Sequence, residues 1–200
     1  MSEENNLNNI FISGWGGYKE LFPLITEKTD FYVPFLAPMD VIKRSIKKGG
    51  KTAMGWSTGA HILLKYAPKY IDKWDKIIAI APFSDFTKSF GSKILDAMIR
   101  GIDQNFYNTM DNFYKRCGIK ENVKVDHKDA EKLKSGLIFL KKSKLVKGIY
   151  SDKITVIYGT NDGIVKKSEI IQILKMFSNS CYIEVQQQHL VKERVLSQFL

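Results

Sequence analysis

Gly55-Trp-Ser-Thr-Gly59 sets one serine between two glycines, with an apolar run before it and a helix-like stretch, Ala60 to Tyr66, after it. A serine hydroxyl attacks a carbonyl only when a base takes its proton, and flanking glycines let the chain turn sharply enough to expose it. By composition alone the pattern turns up about once in fifteen chains of this length, so its surroundings decide its weight. Here it joins a strand-like segment, 51–56, to a helix reaching about Tyr66. At such a junction Ser57 is held in a strained conformation, and the helix directs its positive end at the hydroxyl. The Thr58 amide is then placed to bind an oxyanion.

The base must be a histidine, and the sequence offers three. His61 lies four residues after Ser57 on the same predicted helix and points away from the turn, as a helix-surface or packing side chain. His127 sits in the charged stretch Lys124-Val-Asp-His-Lys-Asp-Ala130 and reads as solvated. His189 follows a strand-like segment through the polar loop Gln186-Gln-Gln and precedes the last helix, so position and elimination choose it. The orienting acid belongs after the strand before that one. Asp162, in Tyr158-Gly-Thr-Asn-Asp-Gly-Ile-Val165, meets the requirement and also suits a turn before glycine; Asp85, after the strand ending at Ala81, is its competitor. A second oxyanion donor fits Phe11-Ile-Ser-Gly-Trp-Gly-Gly17, where the Trp15 amide can aim into the site and the indole can wall one side. A plain glycine turn is the alternative there.

Bringing these loops together requires alternating strands and helices. Apolar, β-rich runs fall at 9–12, 30–35, 51–56, 76–81, 153–158 and 181–185. Helical spacing falls at 18–27, at 39–48, up to Tyr66, at 166–177 and from about Val191. That order implies a mostly parallel, doubly wound sheet covered on both faces, with ligands at the carboxyl edge of its strands. Segment 83–150 breaks the alternation, with helical patches at 92–100, 105–116 and 129–142 and no strand. It is expected to be a helical cap, or lid, inserted into a single domain spanning 1–200.

Composition narrows the function classes. Two hundred residues, 44% of them apolar, suffice for one domain with a real core. The N-terminal MSEENNLNN has neither a basic nor an apolar signal region, no run approaches a membrane span, and the two cysteines lack metal-ligand spacing. A cytoplasmic protein without metal or other cofactor is therefore expected, acting as a monomer away from membranes. The net charge is +10, and 83–150 holds much of it: from Lys88 to Tyr150 there are 14 Lys/Arg against 7 Asp/Glu. Such an excess is either a solvated lysine-rich face or a surface that steers an acidic macromolecule. Nucleic acid is not expected as the partner, since no recognition element or basic-aromatic groove accompanies the charge.

Ser13-Gly-Trp-Gly16, Gly55-Trp-Ser-Thr-Gly59, Tyr158-Gly-Thr-Asn-Asp-Gly-Ile-Val165 and His189 together resemble the α/β-hydrolase carboxylesterases that demethylate pimeloyl-acyl-carrier-protein methyl ester in biotin synthesis. The order Ser57, Asp162, His189 is that of the α/β-hydrolase arrangement. The segment Gly136-Leu-Ile-Phe-Leu-Lys-Lys-Ser-Lys-Leu145 is similar to that family's end-of-cap helix, although the cap is matched in character more than in residues. Two departures stand out. The family's N-terminal strand pair has no counterpart, which shrinks the expected sheet to about six strands, and Ser13 stands where the oxyanion loop usually has a histidine. The Trp15 amide is kept, so altered supporting hydrogen bonds are expected rather than loss of the oxyanion hole.

The resemblance implies that Ser57 is a nucleophile, His189 its base and Asp162 the orienting acid, with Trp15 and Thr58 forming the oxyanion hole. It implies an acyl chain lying under the cap against residues such as Trp56, Phe83, Phe86 and Phe106. It also implies a carrier-protein partner met by basic cap residues, for which Arg100, Arg116 and Lys115 are the candidates. Two other readings stand beside it. One is a general hydrolase of short esters or thioesters with the same three residues; the other is a noncatalytic ligand-binding protein of the same fold.

Overall fold

β1 (Ile10–Ile12), β2 (Asp30–Tyr32), β3 (Gly50–Trp56), β4 (Trp74–Ile80), β5 (Ile154–Gly159) and β6 (Cys181–Val185) form one sheet in the order β2-β1-β3-β4-β5-β6. Every pairing is parallel. A computed structural model describes residues 8–121 and 123–200, so the first seven residues of the polar N-terminal stretch lie outside the described residues. The central strands β3 and β4 are buried from Thr52 and Ile77 onward, as expected of a parallel sheet covered on both faces. The chain lays β2 on one side of β1 and then returns to lay β3 on the other. That reversal puts a crevice at the carboxyl ends of β1 and β3, where open α/β sheets hold ligands.

The covering helices follow from their patterns. α2 (Met39–Lys48) buries Ile42 and Ile46, one turn apart, and ends in Lys47 and Lys48, which suit the negative end of its dipole. α3 (Thr58–Tyr66) is buried from Thr58 through Leu64, because it packs against β1, β3 and β4 at once. α8 (Lys167–Met176) links β5 to β6 and buries Ile170 and Ile173. Among the described residues no helix is long and apolar enough to cross a membrane.

Three expected elements come out shorter. Segment 18–27 is not one helix but a 3-10 turn, Lys19–Leu21, followed by α1 (Pro23–Thr26). Pro23 disfavours helical geometry at Phe22, which takes φ −139°, so the helix must restart at the proline. The strand at 30–35 stops at Tyr32 because Pro34 has no amide to donate and Phe35 adopts φ 73°. The last helix shrinks to α9 (Glu193–Leu196) and a 3-10 turn.

Between β4 and β5 the described chain is helical, with α4 (Phe86–Phe90), α5 (Ser92–Gln104), α6 (Phe106–Cys117) and α7 (Ala130–Lys142). α5 packs on both α6 and α7. α6 has strong local stops: the Asn105 side chain accepts from the Asn108 amide at its start, and Gly118 closes its end in the left-handed conformation.

Candidate active site

β3 runs straight into the turn at Ser57. The Ser57 amide still donates to the Ile80 carbonyl, 2.8 Å, as the last rung beside β4, and the next residue opens α3. To change direction within one residue, Ser57 takes φ 54° and ψ −113°, a conformation costing about 1–3 kcal/mol that its neighbours must hold in place. The two glycines of the motif are explained by closeness. A Cβ on Gly59 would strike the Ile12 carbonyl and come within 2.5 Å of the Ser13 carbonyl oxygen, and one on Gly55 would come within 2.7 Å of the Gly59 carbonyl and the Ala60 amide. Only residues without a side chain let α3 start this tightly against β1.

A continuous chain of hydrogen bonds leads away from the serine. His189 Nε2 lies 2.9 Å from Ser57 Oγ, and His189 Nδ1 lies 2.8 Å from Asp162 Oδ2. The other oxygen of Asp162 accepts the Ile164 and Val165 amides at 2.7 and 2.9 Å, so the loop after β5 fixes the carboxyl group. Hydrogen-bond logic assigns the tautomer: Nδ1 donates to the carboxylate, which leaves the Nε2 lone pair to accept the serine proton. The Trp56 indole donates to the His189 carbonyl at 2.9 Å, and its ring lies against the imidazole. Ser57 and His189 are only 5% and 1% exposed.

Asp85, the competing acid, is engaged elsewhere. Its carboxylate caps α4 by accepting from Thr87 and pairs with Lys144 at 2.9 Å. Burial alone would raise its pKa, but the bonds from Thr87 and Lys144 outweigh that and hold the carboxyl below its usual range. His61 is fully buried rather than on a helix surface. Its Nδ1 donates to the Phe83 carbonyl at 3.0 Å, and its Nε2 accepts from Ser143 Oγ at 2.8 Å, while Lys65 donates to the same hydroxyl. Burial lowers its pKa to about 4, so it stays neutral at physiological pH and serves as a tie between α3 and the end of α7. His127 is exposed and packs beside Phe106 and Tyr107.

The oxyanion candidates occupy neighbouring loops. Thr58 is the first residue of α3, so its amide precedes the helix's first internal hydrogen bond. Trp15 sits in the loop directly after β1, in a turn closed by the Gly17 amide on the Gly14 carbonyl at 3.1 Å. Its indole is buried, donates to the Leu133 carbonyl of α7 at 2.7 Å and meets the Phe113 ring edge-on. Ser13, in the position of the expected histidine, is buried, and its hydroxyl has no hydrogen-bond partner among the described residues.

The side chains expected along an acyl chain are largely committed to packing. Trp56 supports His189 as above. Phe83 is fully buried between His61 and Phe86, and Phe106 is buried beside Tyr107 and His127. A cavity of about 680 Å³ opens between α6 and the segment after it, bordered by Met110, Tyr114, Ile119, Val125 and Gln188 and by the charged Asp111, Lys115, Lys120 and Glu121. None of Trp56, Phe83 and Phe106 borders it. Gln188 adjoins His189 in the chain, and a Cβ on Gly16 would come within 2.8 Å of the Met110 methyl, so this cavity adjoins both loops of the site. Arg100 is exposed on α5, Arg116 lays its guanidinium over Phe90, and Lys115 pairs with Asp111 at 2.6 Å.

Two supporting residues had no visible signal in the sequence. Glu169 of α8 is buried, and its Oε2 accepts from the Ser84 amide, the Ser84 hydroxyl and the Asp85 amide at 2.7–2.9 Å, pinning the loop after β4. Cys117 is buried at the end of α6; burial, with Asp162 nearby, pushes its thiol well up, so it stays protonated. Among the described residues no cluster of His, Cys, Asp or Glu could hold a metal ion.

No protein-family profile matches the sequence, and neither does any curated protein. Solved structures do match. An esterase from Exiguobacterium antarcticum superposes with a TM-score of 0.70 at 14% identity, covering 96% of this chain and 91% of that one. A lipase-esterase related protein from Clostridium acetobutylicum gives 0.70 at 15% identity, over 98% and 94%. The enol-lactonase from Burkholderia xenovorans gives 0.66 at 10% identity, over 99% and 90%. At these identities the likeness concerns the fold: this chain has the α/β-hydrolase fold, with Ser57 at its strand-to-helix turn.

Proposed function

We propose that the protein is a serine carboxylesterase acting on the methyl ester of an acyl chain carried by an acyl-carrier protein, the pimeloyl methyl ester being the type of substrate. The observation that carries the esterase reading is the unbroken Ser57–His189–Asp162 hydrogen-bond chain at a strained turn on the sheet's switch point. Ser57 Oγ bonds to the ester carbonyl carbon as His189 Nε2 takes its proton, and the carbonyl electrons move onto oxygen. The amides of Thr58 and Trp15 receive that oxyanion. Collapse expels the methoxy group, which leaves as methanol with the proton from His189. Water, deprotonated by the same imidazole, then releases the acid and restores Ser57. Asp162 holds the imidazole in the tautomer this requires. The acyl arm takes the cavity beside Gln188, whose border joins the apolar Met110, Ile119, Val123 and Val125 to a charged rim.

The charge of the helical insertion supports the carrier part of the reading, since acyl-carrier surfaces are acidic and a basic face would speed encounter. A second reading, a general esterase of small free esters, is favoured by a specific observation. Of the three basic residues assigned to the carrier, Lys115 is already paired with Asp111 and Arg116 rests on Phe90.

Methyl pimelate, free and linked to an acyl-carrier protein, separates the two. The carrier reading expects kcat/KM on the linked ester at least about tenfold above the free ester at low salt, with the gap shrinking as salt rises. It also expects the double reversal Arg100→Glu with Arg116→Glu to close that gap while leaving the free-ester rate intact. Equal rates on both esters, independent of salt, would leave the general esterase as the function.

A further inference from the structure

The Trp15 amide can bind an oxyanion only if the loop after β1 is held still, yet that loop makes few bonds to the sheet. Ser13 donates its amide to Tyr32, but its hydroxyl is without a partner among the described residues. The firm anchors come from the helical insertion. Tyr114 of α6 donates its hydroxyl to the Gly16 carbonyl at 2.8 Å, the Trp15 indole donates to Leu133 of α7 at 2.7 Å, and Tyr18 donates to Asp129 at 2.9 Å. Trp15 and Gly16 are the two central residues of the turn closed by Gly17 on Gly14, so the first two anchors grip the turn on both sides of its middle peptide.

The same helix also reaches the other half of the site. The Cys117 carbonyl accepts the Leu190 amide at 3.1 Å, one residue past His189, and Gly118 packs so closely on Gln188 that a Cβ there would overlap the Gln188 side chain. Met110, Tyr114 and Cys117 recur at i, i+4 and i+7, which places them on one buried face of α6. One rigid face therefore touches Gly16 on one side and the His189 loop on the other. Burial pushes the Tyr114 phenol far up, so its hydroxyl keeps its proton and remains a donor throughout the working pH range.

We propose that Tyr114 is a positioning residue: its hydroxyl, held on the Gly16 carbonyl, orients the loop after β1 so that the Trp15 amide faces the oxyanion forming at Ser57. The proposal rests on the esterase reading of Ser57. Tyr114 does not touch the reacting atoms; it acts through the turn. The interaction it controls is made most strongly in the transition state, so its loss should appear in kcat and in the binding of tetrahedral mimics, not in ground-state binding.

Tyr114→Phe keeps the ring and removes only the donor. With p-nitrophenyl acetate as the probe, kcat is expected to fall about tenfold with KM within twofold, since misplacing one oxyanion donor forfeits part of its effect. Affinity for phenylboronic acid, which forms a tetrahedral adduct on the serine, should fall by the same factor, while inhibition by the acetate product stays unchanged. Lys134→Ala, which removes the surface ion pairs of α7 to Asp103 and Glu131 without touching the turn, should leave boronate affinity within twofold. Wild-type kcat and boronate affinity in a folded Tyr114→Phe would overturn the proposal, as would an equal loss in Lys134→Ala, which would mean general loosening of the insertion. Absence of Ser57-dependent turnover in the wild type is a different result: it overturns the esterase reading, and this inference with it.

Discussion

Ser57→Ala is expected to lower kcat/KM for ester hydrolysis by about 10⁴-fold or more, and to leave the melting temperature within a few degrees of wild type. The size of the first effect follows from the mechanism. Without Oγ no acyl-enzyme forms, and His189 can at best activate water from a position set for a serine proton. The smallness of the second follows from the packing. Alanine meets the same φ of 54° with no greater steric cost, and His189 keeps its bond to Asp162 and its carbonyl bond from Trp56. Steady-state kinetics with a p-nitrophenyl ester and a thermal melt read both quantities. A variant that hydrolyses esters at the wild-type rate would place the chemistry elsewhere in the molecule.

Gly59→Ala should have the largest effect on stability of any single methyl added to the chain's turn. The new Cβ would overlap the Ile12 carbonyl and crowd the Ser13 carbonyl oxygen, and both obstacles are backbone, at the end of β1 and in the residue after it. No flexible side chain can give way there, so either α3 backs off from β1 or β1 shifts against its neighbours. Each alternative disturbs a fully packed layer: Ile12, Ala60 and Leu63 are completely buried. The expected cost is about 4 kcal/mol or more, in the range reserved for severe core strain. Urea denaturation or the soluble yield at 37 °C measures it. A stable, active Gly59→Ala would show that the helix does not start as tightly against β1 as the geometry has it.

Much of the site could be read in the chain because its residues sit at places the topology determines. Alternating strands and helices put the ends of β1, β3, β5 and β6 at one edge, so Ser57, Asp162 and His189 had to approach one another, and the three histidines were few enough to sort by position. Strand order favours Asp162 over Asp85 although either loop opens at that edge, and the bonds from Thr87 and Lys144 show what Asp85 does instead. Side-chain direction was the harder matter. Aromatic type says nothing about which face a side chain takes, and the ring contacts of Trp56 with His189, Phe83 with His61 and Phe106 with His127 could not be read from the chain.

What stayed hidden is long-range. Glu169 reaches Ser84 across 85 positions and Tyr114 reaches Gly16 across 98, and nothing local marks either partner. Pro23 is the opposite case, a visible signal that breaks segment 18–27 into a turn and a short helix. A histidine four residues after the serine finds one partner in the Phe83 carbonyl and the other in Ser143 at the end of α7, more than eighty positions away, and burial then keeps it uncharged.

A Ser57 Oγ activated by His189 should attack a fluorophosphonate, and intact-mass and peptide mass spectrometry after incubation read the product. A single stoichiometric adduct on the peptide carrying Ser57 is the expected result, absent in Ser57→Ala and strongly slowed in His189→Ala. An unlabelled wild-type protein, or an adduct on another residue that persists in Ser57→Ala, would contradict it.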